Sequence, residues 1–310
     1  MARPLFQSTM HSNTELALPY PALAAEIAAL LADTSVHVPP RIVAPLHGGG
    51  SLFVMPGSDT QVAMTKVISF TPGNVGTARP TIQGDVLVLD VATGERRLLL
   101  DGPTVTARRT AAVSLLAAQR LAPNPDGPVL IVGAGVQGKA HLDAFAAGLG
   151  SRRFRIASRS ASSAEQLAAH ARLHGLEAEV VTDPDAALQD CPLVVTCTPA
   201  SQAVLHATPR ADAFVAAVGA FTPAMVELSP EFCRHFAEQG RIVVDTPEAE
   251  HEAGDLLQAG LEVAGMPTLT DVVLQGTATQ KDLPVLFKSC GWAGWDLAAA
   301  RLAMRVAATA

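Results

Sequence analysis

Residues 128–141 read PVLIVGAGVQGKAH, and this stretch decides the fold. Four apolar residues, Val129 to Val132, run into Gly133, Gly135 and Gly138, and a segment of helical composition follows. A strand, a G-x-G-x-x-G turn and a helix in that order make a dinucleotide-binding fingerprint. Gly133 permits the tight turn, Gly135 lets a pyrophosphate approach the backbone, and Gly138 lets helix and strand pack closely. N–H groups at the start of the helix, at Val136 and Gln137, then face the phosphates.

The surrounding rhythm supplies the context that this spacing needs. From residue 128 the strand-like stretches VLIVG, FRIAS, AEVV, LVVTCT, FVAAVG and RIVVDT alternate with helical or connecting segments. Alternation of this kind predicts a parallel sheet covered on both faces. An NAD site commonly carries Asp or Glu about 20 residues past the glycines, at the end of the second strand. Here that strand is FRIASRS, with Ser158 and then Arg159. No carboxylate repels a 2′-phosphate, and a guanidinium is present to bind one. NADPH is the expected cofactor, with NADH as the alternative.

The first 120 residues follow a different pattern. YPALAAEIAALLAD sets Tyr20, Leu23, Ile27 and Leu30 on one helical face. RIVAPL, SLFVMP, VAMTKVISF, DVLVLD and RRLLLDG follow, the last two joined by a hairpin at Thr93-Gly94. Strands so closely spaced leave no room for crossover helices, so an antiparallel sheet is expected. Residues 104–122 have the composition of a helix, and PNPDGP at 123–128 breaks the chain. A domain boundary is placed there. A second change comes near residue 283, where LPVLFKSCG leads into the helical WAGWDLAAARLAMRVAA.

Composition narrows the function classes. The 310 residues are 49% apolar and 16% charged, with net charge −7 and scattered basic residues. That is a globular protein without a nucleic-acid footprint. The four cysteines show no C-x-x-C spacing and read as buried thiols of a reducing compartment. MARPLFQSTMHSNTE has no apolar leader core, and no apolar run reaches the roughly 18 residues of a membrane span. A cytoplasmic protein is expected. HGGG at 47–50 lacks any G-x-S-x-G partner and reads as a turn, and HEAGD at 251–255 is not H-E-x-x-H. No metal is assigned.

The stretches TVTARRTAA, IVGAGVQGKAH, VTCTPA, AVGAFTPAMVEL and FKSCGWAGWDLAAA together resemble the ornithine cyclodeaminase/mu-crystallin family of reductases and lyases, from about Pro40 to the C-terminus. The resemblance implies an α/β fold: a Rossmann doubly wound parallel sheet plus a discontinuous α+β domain for substrate and dimerisation. It assigns residues 1–122 and 284–310 to the substrate and homodimer domain and 123–283 to the dinucleotide domain. Arg41, Lys66 and Arg109 match the family's substrate-site residues. A planar guanidinium fork at Arg41 suits a substrate carboxylate. Thr81, Ser158, Arg159, Ser160, Thr198 and Val218 fall at cofactor contacts of the family.

One departure bears on the reaction. The cyclodeaminases carry an aspartate in the segment matching AVGAFTP, and the resemblance sets Ala220 at its position. Loss of that acid turns the expectation from a lyase to an imine reductase. The expected reactions are NAD(P)H-dependent reduction of Δ1-pyrroline-2-carboxylate to L-proline and of Δ1-piperideine-2-carboxylate to L-pipecolate, a step of lysine degradation. The alternatives are alanine dehydrogenase-like reductive amination, ornithine cyclodeamination, and a mu-crystallin-like role as an NADPH-dependent binder of small ligands.

Overall fold

The computed structural model describes residues 14–74, 77–275 and 283–309. Most of the N-terminal stretch considered above as a leader lies outside them. The chain divides into two compact units, Met1–Arg109 with Trp292–Ala310, and Thr110–Gly291.

The first unit is built on an antiparallel sheet. Strands β1 (Ile42–Leu46), β2 (Gly50–Ser58), β3 (Val62–Phe70), β4 (Ile82–Asp90) and β5 (Arg96–Asp101) are ordered as in the chain. Each pairs antiparallel with the next. His47–Gly49 forms the turn between β1 and β2, and Gly94 N–H closes the β4–β5 hairpin on Asp90 O at 2.8 Å. Helix Tyr20–Leu31 opens with a proline in its first turn and buries Tyr20, Leu23, Ile27 and Leu30. The C-terminal helix Ala293–Thr309 packs on that helix and on β2 and β3. Its alanines at 298, 299, 300 and 303 are buried and allow close approach.

The second unit holds a seven-stranded sheet. Its strands are β6 (Val129–Val132), β7 (Arg153–Ala157), β8 (Glu177–Val180), β9 (Leu193–Thr196), β11 (Phe214–Ala217), β13 (Arg241–Val244) and β14 (Val285–Lys288). The order across the sheet is β13-β14-β11-β9-β6-β7-β8. Every pairing is parallel. The inner strands β6, β9, β11 and β14 are buried along their whole length. Continuous apolar runs are what a sheet covered on both faces requires. The chain moves outward from β6 through β7 to β8, then returns to β9 on the other side of β6. That reversal is the switch point at which such sheets bind ligands, beyond the carboxyl ends of the strands. Strands β10 (Ser201–Leu205) and β12 (Val226–Leu228) form a small parallel pair outside the main sheet.

Two boundaries differ from those the sequence suggests. The chain passes between units inside helix Gly102–Leu121, because its second half buries Ala111, Ala112, Val113, Leu115 and Leu116 in the core. Proline and glycine mark where that helix ends, not where its burial begins. The parallel sheet also continues past residue 283, since β14 inserts between β11 and β13. A four-residue apolar strand beside an alanine-rich helix has no signal of its own.

Candidate functional site

Three glycines build the cradle of the parallel unit. Gly133 follows β6 with φ +115°, a region closed to most side chains, and a Cβ there would meet Cys197 O at 2.9 Å. At Gly138 a Cβ would lie 2.0 Å from Gly133 O, so helix and turn touch through the missing side chain. A Cβ on Gly135 would meet nothing within 4 Å, which leaves its backbone open to a ligand. Helix Val136–Gly148 starts there with no side-chain cap, and Val136 is 70% exposed. Uncapped N–H groups at an open helix start suit a pyrophosphate. The residues therefore fit a dinucleotide.

His141 steadies that helix. Its Nδ1 lies 2.8 Å from Gln137 O and its Nε2 3.0 Å from Ser114 Oγ. Burial pushes its pKa down to about 4, so the ring is neutral and structural. At the end of β7, Ser158 Oγ accepts Ser160 N–H at 3.3 Å, and Ser160 Oγ caps helix Ala161–Leu173 through Ser163 N–H at 3.3 Å. Arg159 is exposed between them. Thr198 follows β9, and Val218 follows β11 with its N–H on Thr196 O at 2.9 Å. Thr81 belongs to the antiparallel unit, where its carbonyl accepts Thr71 N–H at 2.8 Å.

Ala220 is fully buried, and its carbonyl accepts Lys288 Nζ at 2.6 Å. The neighbouring Phe221 is 46% exposed. The segment lacks an acid from Ala217 to Pro223, and Phe221 and Pro223 are its exposed residues.

The antiparallel unit brings two of the three expected basic residues onto one carboxylate. Alternation along β3 turns Val62, Met64 and Lys66 inward. Lys66 Nζ lies 2.7 Å from Asp296 Oδ2, the two side chains 1% and 0% exposed. Arg109 Nε reaches Asp296 Oδ1 at 3.3 Å. Asp296 sits in the first turn of helix Ala293–Thr309, where the helix dipole favours an anion. Burial pushes the Lys66 pKa down to about 8; Asp296 holds it up, while Arg109 and Arg41 push it lower. Arg41 is thus close enough to be felt at Lys66. Asp296 is the residue that reading the sequence missed. Its one signal was a lone acid in the apolar run WAGWDLAAA. Among the described residues, no cluster of His, Cys, Asp or Glu is arranged to hold a metal ion.

The chain matches known proteins along most of its length. Residues 6–308 match the model of the ornithine cyclodeaminase/mu-crystallin family. The chain is 41% identical over 297 residues to Δ1-pyrroline-2-carboxylate reductase 1 of Burkholderia multivorans, covering 94% of this chain and 93% of that protein. It is 39% identical over 298 residues to a Δ1-pyrroline-2-carboxylate/Δ1-piperideine-2-carboxylate reductase of Azospirillum brasilense, with the same coverage. Among solved structures, the Δ1-pyrroline-2-carboxylate reductase of Thermococcus litoralis, in complex with NADH and L-proline, superposes with a TM-score of 0.86. It is 23% identical and covers 96% of each chain, a likeness of fold.

Proposed function

The chain belongs to the ornithine cyclodeaminase/mu-crystallin family, and from that premise we propose that it reduces Δ1-pyrroline-2-carboxylate to L-proline with a reduced nicotinamide dinucleotide. One observation carries the reading: two buried cations, Lys66 and Arg109, share the single carboxylate of Asp296, and Arg41 adds a third positive charge nearby. Burying more cation than anion is costly unless a ligand supplies the missing charge. A planar carboxylate next to an imine carbon is such a ligand.

The residues then take separate roles. Arg41 and Lys66 hold the substrate carboxylate, the guanidinium as a fork and the ammonium as a point charge. Arg109 contributes the other cation on Asp296, and that acid keeps Lys66 charged near neutral pH. Gly133, Gly135, Val136, Gln137 and Gly138 cradle the pyrophosphate. When bound, the reduced nicotinamide supplies the hydride. Fixing the ring by its carboxylate sets which carbon is presented for reduction.

We further assign NADPH over NADH. Ser158, Arg159 and Ser160 offer hydroxyls, a helix start and a guanidinium with no acid at the strand end. The six-membered ring Δ1-piperideine-2-carboxylate is assigned as a second substrate, giving L-pipecolate. A homodimer is proposed because the antiparallel sheet exposes Ile42, Val43, Val67, Phe70 and Ile82. All four cysteines are free thiols, which suits the cytoplasm. No helix among the described residues is long and apolar enough to cross a membrane.

The deciding assay follows oxidation of NADPH with each cyclic imino acid, with pyruvate plus ammonium, and ammonia release from ornithine with NAD. The cyclic imines are expected to be the preferred substrates, with no ammonia released from ornithine. A preference for pyruvate plus ammonium, or turnover of ornithine, would overturn the reading.

A further inference from the structure

A second buried cluster lies in the parallel unit, and the roles above leave it unused. Glu227, Asp255 and Lys288 are 0%, 1% and 0% exposed. Glu227 Oε1 accepts the N–H of Thr198 at 2.6 Å and its hydroxyl at 3.0 Å. Glu227 Oε2 accepts the N–H of Gly219 at 2.6 Å and of Ala220 at 3.3 Å. Both oxygens of one carboxylate are thus spent on two loops, those leaving β9 and β11. Asp255 Oδ1 in turn holds the N–H of Leu228 at 3.0 Å and that of Glu227 itself. Lys288 Nζ lies 2.7 Å from Asp255 Oδ2 and donates to Ala220 O at 2.6 Å.

These loops touch each other and the fingerprint. A Cβ on Gly219 would strike Thr198 O at 2.2 Å, so the two backbones are in direct contact. Cys197, next to Thr198, donates its thiol to Gly133 O at 3.1 Å. A continuous path therefore runs from Lys288 through Asp255 and Glu227 to Thr198, Cys197 and the first fingerprint glycine. A fully paired buried acid holds these two loops in one arrangement.

We propose that Glu227 is a positioning residue for the dinucleotide. Backed by Asp255 and Lys288, it fixes the backbone at Thr198 and Gly219–Ala220 beside the fingerprint before any cofactor binds. The inference rests on the dinucleotide reading above and adds residues that touch no ligand. Its chemical sense is preorganisation: loops already in place lose less freedom on binding.

The test uses the full-length chain and Glu227→Gln, which keeps the shape but turns one oxygen into an N–H donor facing a backbone N–H. NADPH affinity is measured by fluorescence of the reduced nicotinamide, without substrate. Amide hydrogen exchange is measured at Thr198, Gly219 and Ala220 in the cofactor-free protein. Glu227→Gln is expected to weaken NADPH binding about tenfold, speed exchange at those amides, and raise the cofactor KM more than it lowers kcat. Phe236→Leu, a core truncation in the same unit, controls for lost stability and should leave the affinity unchanged. Should Glu227→Gln fail to fold, Glu227→Asp gives the same readouts through a carboxylate too short to reach both loops. Wild-type affinity with unchanged exchange in the folded variant would overturn the inference. A wild-type chain that binds neither NADPH nor NADH would instead overturn the dinucleotide reading beneath it.

Discussion

Lys66 and Lys288 are both buried, and each lies 2.7 Å from an aspartate. They differ in what else surrounds them. Lys66 shares its aspartate with Arg109 and feels Arg41, and burial with those two cations pushes its pKa down to about 8. Lys288 stands against Asp255, Glu227 and a carbonyl; burial opposes its charge, but the carboxylates outweigh it and raise its pKa. The Lys288 cluster holds two carboxylates to one ammonium, and both Glu227 oxygens are taken up by backbone N–H groups. In the Lys66 cluster two cations, Lys66 and Arg109, meet on the one carboxylate of Asp296. On the proposed reading, the anion-rich cluster is spent on backbone and the cation-rich one is left to take a substrate carboxylate.

The contrast has opposite consequences for stability as pH rises. Below pH 8 Lys66 is charged in both the folded and unfolded chain, so the folded state carries the full cost of burying that charge. The cost is relieved as pH climbs from about 8 toward the ordinary lysine value of 10.5. Lys288 behaves in reverse. Its stabilisation is complete below 10.5 and is lost as pH passes its higher folded value.

The largest expected effect comes from opening the Lys66 cluster. Asp296→Ala leaves Lys66 and Arg109 buried without their counter-ion, and urea unfolding should show a loss of about 3–5 kcal/mol. A loss under about 1 kcal/mol, the range of a surface pair, would mean that the cluster is solvated. Next comes the carboxylate clamp. Arg41→Ala should lower kcat/KM for Δ1-pyrroline-2-carboxylate by about 30- to 1,000-fold, which is roughly 2–4 kcal/mol. NADPH affinity should hardly change, and an unchanged kcat/KM would remove Arg41 from the site.

A pH profile sharpens the comparison further. Lys66 must be charged to hold a carboxylate, so kcat/KM should fall as pH rises through about 8. Asp296→Asn removes the charge that holds Lys66 up, and the falling limb should move to lower pH. A limb that stays in place would detach it from Lys66. The smallest effect concerns the cofactor. Ser158→Asp should shift preference from NADPH toward NADH by about tenfold, because a carboxylate at the strand end repels a 2′-phosphate and accepts ribose hydroxyls. Equal or better use of NADH by the wild type would contradict the assignment of the second strand.

Legibility in the sequence followed the range of the interactions. The fingerprint was plain because its three glycines, strand and helix are adjacent in the chain, and each glycine does a local steric job. The face of helix Tyr20–Leu31 and the hairpin at Gly94 were legible for the same reason. Lys66 and Arg109 were found by resemblance, but the acid they share lies 187 or more residues away and shows no pattern with them. Lys288 closes an apolar run and Glu227 stands among apolar residues in MVEL, so neither carries a signal of its own. Only folding brings them onto the same loops. Ala220 shows a finer limit: which of two adjacent residues is buried depends on backbone direction at a strand end, and the structure buries Ala220 while leaving Phe221 exposed.

The central claim is that the cation-rich cluster recognises the carboxylate of a cyclic imine. The most direct measurement compares NADPH oxidation with Δ1-pyrroline-2-carboxylate and with Δ1-pyrroline, the same ring without the acid. The ring lacking the carboxylate is expected to show a kcat/KM lower by about 100-fold or more, the loss that follows when buried cations are left without their partner. Equal efficiency on the two rings would contradict the claim.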